Sequence, residues 1–320
     1  MLPEFLRPSG PVLAIALILW LLLDHAYPEH RGLLLKIHPV HTCFNMAKRL
    51  GKPYSSRTRG VLVWFLCVSL HMAPYAALLY LAWRFSVALW ISLCCYVLKV
   101  SMSLRLLTKI VEDVERAARE GDWSKARRMT QLIVRRNVYI LDEPHVLSAA
   151  IESLAENFVD GFVSPLFYYI LLGPLGALLQ RLANTMDGAL GYVTPELRDV
   201  GWFSAVIDTV MNYIPARLGA LTIALVGGLR YRRLREALRV WKSFCSSTPS
   251  RNAGHPMSAI AGVLGVTLEK PSCYTLGVGP YPTPKHVYQA LEVVKIASAV
   301  WIALSVSIML AVPIGREILP

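Results

Sequence analysis

Glu152, Glu156 and Asp160 follow one another at four-residue intervals. If the helix that carries the first two continues to the third, they share one face. Three carboxylates on one stripe repel one another unless a cation sits among them. Mg2+ takes one or two carboxylates and keeps its remaining positions for water and phosphate oxygens. The plainer reading is a solvated acidic face. Position favours chemistry, because the stripe runs straight into apolar sequence. An ionisable group there is expensive, about 2.5–3.5 kcal/mol for Asp at the centre of a membrane span.

Two further sets have similar character. Arg181, Asn184 and Asp187 recur every three residues, near one helical face. They suit a metal, a hydroxyl or an amide, or else an interfacial helix end. Asp208, Asn212 and Arg217 lie on the next apolar segment. Arg217 suits a carboxylate or phosphate held bidentately; the alternative is an intrahelical Asp208–Arg217 bridge, which the spacing does not favour. The stretch 250–257, SRNAGHPM, reads as a tight loop whose backbone N–H groups meet an anion, with Lys270 assisting. His38 and His41 read as structural histidines. Neither GxxxxGK[ST] nor GxGxxG occurs, so a nucleotide would not be held by the common phosphate loops.

The elements that position these residues are membrane helices. Of 320 residues, 55% are hydrophobic and only 17% charged, a balance that excludes an ordinary soluble globule. The formal net charge of +12 points to basic cytosolic loops rather than to nucleic acid, since no basic tract is interleaved with aromatics. Six cysteines without CxxC spacing argue against zinc or a disulfide framework. The fold class expected is all-α, a polytopic helical bundle forming one membrane-embedded domain over 1–320.

Apolar stretches occupy 11–23, 61–83, 85–100, 162–183, 204–229 and 296–314, the fourth broken at Gly173-Pro174. The first reads as a retained anchor. Basic residues crowd 47–59, 105–136 and 230–242, so loops 24–60, 101–161 and 230–295 are expected on the cytosolic side. Six crossings satisfy this. So do four, if 162–183 is a re-entrant hairpin and 204–229 does not cross; that version gathers the acidic and amide residues and is preferred. Within 101–161, helices are expected at 108–120 and 122–137, with Asp142 capping another. The segment 243–295 reads as a long loop with turns.

Taken together, ESLAENFVDG, RLANTMDGALGY, GWFSAVIDTVMNYIPAR, RNAGHPMSAIAGVLGVTLEKP and YTLG, with Asp24, His38-Pro39-Val40 and Arg57-Thr-Arg-Gly-Val upstream, resemble the adenosylcobinamide-phosphate synthase family of cobalamin biosynthesis (CobD/CbiB). The likeness runs from about Asp24 to Gly277. An Arg-Asp pair of that family stands here as Arg136-Asn137.

The resemblance implies an integral-membrane enzyme of the cell membrane. It would join an amino alcohol or its phosphate to the propionate of adenosylcobyric acid, a corrinoid, with ATP and Mg2+ driving amide formation. The matching positions are Glu152, Glu156, Asn157, Asp160, Asn184, Asp187, Asp208, Asn212, Arg217, Asn252, Gly254 and Lys270. Glu152, Glu156 and Asp160 are the expected Mg2+ ligands. Arg217 and Lys270 are expected to meet phosphates and propionates. Asp187 or Asp208 would serve as base toward the amine. Asn184, Asn212 and Asn252 would hold the corrin's amide side chains. Two other classes compete: a transporter with a carboxylate relay, which should show inverted repeats, and a non-catalytic membrane sensor, which would tolerate loss of the acids.

Overall fold

The structure, a computed structural model, describes residues 3–311. It is helical nearly throughout, with a single two-stranded hairpin among the described residues. The chain divides into two compact units. Of the described residues, the first comprises 3–103, 164–211 and 302–311, the second 104–163 and 212–301.

The first unit holds α1 (Gly10–Ala26), α2 (Gly32–Lys36), α3 (Pro39–Leu50), α4 (Arg57–Phe85) and α5 (Val87–Ser101). It also holds α9 (Ser164–Leu172), α10 (Pro174–Leu190), the start of α11 (Trp202–Arg230) and the end of α14 (Pro284–Ala311). Helix α10 is its centre and packs on α3, α4, α5 and α9, while α1 packs on α5. Capping fixes the starts: Ser56 accepts from Arg59 N, and Ser86 accepts from Leu89 N. Buried Trp90 and Tyr169 satisfy their polar ends on backbone, Trp90 Nε1 on Phe5 O at 2.9 Å and the Tyr169 hydroxyl on Leu13 O at 2.8 Å.

The second unit holds α6 (Arg105–Arg119), α7 (Trp123–Gln131), α8 (Glu143–Phe158), a π turn (Val159–Val163) and the rest of α11. It continues with α12 (Leu234–Phe244), α13 (Gly254–Leu264), β1 (Leu268–Lys270), β2 (Tyr274–Leu276) and the start of α14. Here α8 packs on α6, α7, α13 and β1, and α12 packs on α13. Gly262 permits the last contact, since a Cβ there would press on the Ala237 backbone. The strands pair antiparallel, Leu268 with Leu276 and Lys270 with Tyr274.

Helices α4, α11 and α14 have 29, 29 and 28 residues. At about 1.5 Å per residue each exceeds a hydrocarbon core of about 30 Å. All three are apolar enough to cross a membrane. Helix α4 leaves Leu62, Phe65, Leu66, Leu70, Leu78, Leu81 and Phe85 exposed, as a lipid-facing surface would. The chain is an all-α polytopic membrane protein.

Several expectations change. The 204–229 segment is not a half-span: α11 runs unbroken through Pro215. The expected break in 162–183 is present, since Gly173, at φ +74°, separates α9 from α10 and lets the two pack together. Residues 312–314 of the last apolar stretch lie outside the described residues. The basic helix expected over 122–137 stops at Gln131. The Gln131 amide then wraps the following turn, donating to Val134 O and Arg136 O and accepting from Val138 N. The largest correction concerns 243–295, which is mostly ordered secondary structure. Its Gly-Pro punctuation marks the start of α13, its end at Gly265 (φ +67°) and the hairpin rather than a loop.

Candidate functional site

Glu152 sits two turns into α8. Asp142 starts that helix by accepting from His145 N at 3.1 Å, with Pro144 in the first turn. Glu152 is 4% exposed, and both its oxygens are engaged. Ser148 Oγ donates to Oε1 at 2.6 Å. Arg136 Nη2 and the Tyr274 hydroxyl donate to Oε2 at 3.0 and 2.7 Å. Ser148 Oγ also accepts from Glu269 N at 2.7 Å, which docks β1 on α8. One carboxylate thus ties together the 132–137 turn, α8 and both strands. Burial, then the Glu152 charge, raises the Tyr274 phenol well above its ordinary value, so it stays a donor.

One and two turns further on stand Glu156 and Asp160, both half-buried. Asp160 lies in the π turn. A π turn is wider than an α turn, which keeps a four-residue step closer to one full revolution and holds Asp160 on the Glu156 side. Gly219 of α11 lets that helix approach the turn, since a Cβ would strike Val159. Asn157 donates to Ser153 O at 2.9 Å and to Ser153 Oγ at 3.1 Å.

Arg217 stacks 3.4 Å from the Tyr213 ring centroid. It donates to Tyr213 O at 2.7 Å and to Asn252 Oδ1 at 3.3 Å. It forms no bridge with Asp208 or any other carboxylate among the described residues. Asn252 is 7% exposed, and its N–H donates to Ser250 Oγ at 3.3 Å. Gly254 opens α13 against the Cys245 carbonyl, where a Cβ would overlap. His255 accepts from Trp241 Nε1 at 3.0 Å. Burial, then Arg217, pushes His255 down to about 4. Asn212 is buried. The Lys270 ammonium of β1 makes no hydrogen bond or ion pair among the described residues.

The other three candidates belong to the first unit. Asn184 Nδ2 donates to Asp208 Oδ1 at 3.2 Å, and Arg181 Nη1 donates to Asn184 Oδ1 at 3.4 Å. Asn184 therefore links α10 to α11. The Asp187 carboxylate lies against Gly191, in space that a side chain there would need. The same unit holds a buried ion pair, Lys99 Nζ to Asp24 Oδ1 at 2.6 Å, with both side chains 2% exposed. His30 and His38 pack as an edge-to-face pair, ring centroids 4.8 Å apart. Burial, then His30 and Arg181, pushes His38 down to about 3.

Among the described residues no group of three or more His, Cys, Asp or Glu side chains could hold a metal ion. A metal at Glu152 would also have to displace Arg136, Ser148 and Tyr274. An Mg2+ ion bound through phosphate needs only one or two carboxylates, and Glu156 and Asp160 follow Glu152 along the same stretch. Sequence reasoning gave Arg136, Ser148, Tyr274 and Lys99 no part in a site. Tyr274 stands in the YTLG motif and Arg136 in the altered Arg-Asp pair. Ser148 and Lys99 carry no sequence signal of their own.

A family model described as "CobD/Cbib protein" matches residues 17–303. The chain is 45% identical over 315 residues to a "Probable cobalamin biosynthesis protein CobD" of Aeropyrum pernix, covering 98% of each chain. It is 37% identical to the protein of that name in Methanothermobacter thermautotrophicus, over 83% of this chain and 86% of the relative. It is 35% identical to the "Cobalamin biosynthesis protein CobD" of Stutzerimonas stutzeri, over 88% and 93%. No solved structure matches.

Proposed function

Because the chain belongs to the CobD/CbiB family of cobalamin biosynthesis, we propose that it is the membrane enzyme that joins an amino alcohol, or its phosphate, to the propionate of adenosylcobyric acid. Its basic loops face the cytosol. A carboxylate is a poor acyl donor. ATP, with Mg2+, makes it an acyl phosphate: a propionate oxygen bonds to the γ-phosphorus as ADP leaves. The amine then attacks the acyl carbon, loses a proton, and inorganic phosphate departs.

The observation that best supports this reading is the Arg136–Glu152–Tyr274 cluster, built one turn before Glu156 and two turns before Asp160. In this account Glu152 positions Arg136 and the hairpin, and Glu156 and Asp160 hold Mg2+ through its phosphate-bound form. Arg217 and Lys270 neutralise oxyanions. Asn157, Asn212 and Asn252 offer amide hydrogen bonds to the corrin side chains. Gly254 permits the close start of α13 beside Asn252. In the first unit, Asp208, oriented by Asn184, or Asp187 takes the proton from the ammonium form of the amine.

The test is Glu156→Gln, which keeps shape and removes charge. Amide formation is expected to vanish while membrane insertion stays normal. Retained activity would refute the role of the acidic stripe.

A further inference from the structure

Arg136 has donors that the fold does not use. Its Nη2 meets Glu152, yet Nε and Nη1 are buried without an acceptor among the described residues. A buried cationic donor left unpaired is costly, and native structures keep few of them. The turn carrying Arg136 is held on both sides by the Gln131 amide, so the guanidinium is fixed rather than left to find its own partner.

A second observation points to the same place. Lys270 stands directly opposite Tyr274 in the hairpin. Residues paired in this way project from the same face of a sheet. Tyr274 on that face reaches Glu152, and Lys270 is the cation without an ion pair described above. Two cations thus share a neighbourhood with Glu152, and the Glu156 charge also reaches Tyr274; the buried Arg136 donors are what this neighbourhood leaves unused.

We propose that Arg136 and Lys270 form an oxyanion-binding pair for a phosphoryl group. Arg136 presents an unused donor, Nε or Nη1, and Lys270 adds a mobile ammonium. A fixed planar cation beside a mobile ammonium suits a multiply charged phosphoryl group better than a singly charged carboxylate. Glu152, locked by Ser148 and Tyr274, sets the plane of the guanidinium. The assignment rests on the amide-forming reading for the identity of the phosphoryl group, either the γ-phosphoryl of ATP or the acyl phosphate made from it.

The test uses the full chain in detergent, with inorganic phosphate, ATP with Mg2+, and propionate as probes in thermal-shift titrations. Wild type is expected to bind phosphate and ATP in preference to propionate. Lys270→Gln should weaken phosphate binding about 10-fold, and Arg136→Lys, which keeps charge but loses the planar fork, about 10- to 100-fold. The Lys270 ammonium has no structural partner among the described residues, so its variant stays informative if Arg136→Lys folds poorly. Phosphate affinity unchanged in Lys270→Gln and in folded Arg136→Lys would overturn the proposal, as would preference for propionate. Amide formation is measured in parallel. Product with an unchanged KM for ATP in both variants sinks the anion site and leaves the proposed reaction standing. No product from wild type, with phosphate binding dependent on Arg136, does the reverse.

Discussion

The Tyr274 hydroxyl donates to Glu152 Oε2 at 2.7 Å, on the same oxygen that Arg136 reaches. A β-hairpin side chain therefore completes the shell of a helix carboxylate 122 positions away in the chain. Tyr274→Phe removes one hydrogen bond to a charged group and leaves the ring. It should cost about 1.5–3 kcal/mol of stability, read as a lower unfolding midpoint in detergent, and should lower activity as Arg136 shifts. An unchanged midpoint and rate would show that the hydroxyl is idle.

The Asp24–Lys99 pair is enclosed in helices α1 and α5. Removing one partner strands the other charge, so Lys99→Met should destabilise by about 3–5 kcal/mol. Adding Asp24→Leu should restore a large part of that. Lys99 also donates to Pro28 O at 3.0 Å, so recovery should be incomplete. Denaturation of the single and double variants decides it; additive losses would contradict the pairing.

Acid should weaken the fold before ordinary carboxylates titrate. His255 and His38 are held down to about 4 and about 3, against about 6.5 in the unfolded chain. Between these values the unfolded chain binds protons that the native one refuses, so stability falls as pH drops below 6.5. The loss ends once the folded values are passed. At His255, protonation at Nδ1 would break the Trp241 bond. Unfolding midpoints at pH 7 and pH 5 should therefore differ, and His255→Gln should reduce the difference. Equal slopes in the two proteins would rule out His255 as a source.

Gly254 was expected to meet substrate, yet the fold has its own need for it. A Cβ would overlap the Cys245 carbonyl and crowd Thr248 Oγ1. Gly254→Ala should therefore lower the unfolding midpoint and the yield of folded protein, while KM in the surviving fraction stays near wild type. A normal midpoint with a raised KM would return Gly254 to a binding role.

Much of this was legible in the sequence for a physical reason. Apolar runs of span length and the Asp142-Pro144 helix start are local signals, and α4 and α8 follow from them. Glu152 was visible as a costly acid beside apolar sequence. Its partners were not, because Arg136, Ser148 and Tyr274 meet it only after the turn, helix and hairpin have folded together. The region 243–295 misled for the opposite reason. Its Gly and Pro residues look like loop composition, but Gly254, Gly262 and Gly265 serve close packing and a left-handed cap. The π turn at Val159–Val163 left no composition signal, and neither did the continuation of α11 through Pro215.

The central claim is tested most directly by supplying detergent-purified protein with adenosylcobyric acid, aminopropanol phosphate, ATP and Mg2+, and following the corrinoid by mass together with phosphate release. The account predicts a mass gain equal to the amine minus water, dependent on ATP and matched by released phosphate. Folded protein that gives no such product with either aminopropanol or its phosphate would contradict it.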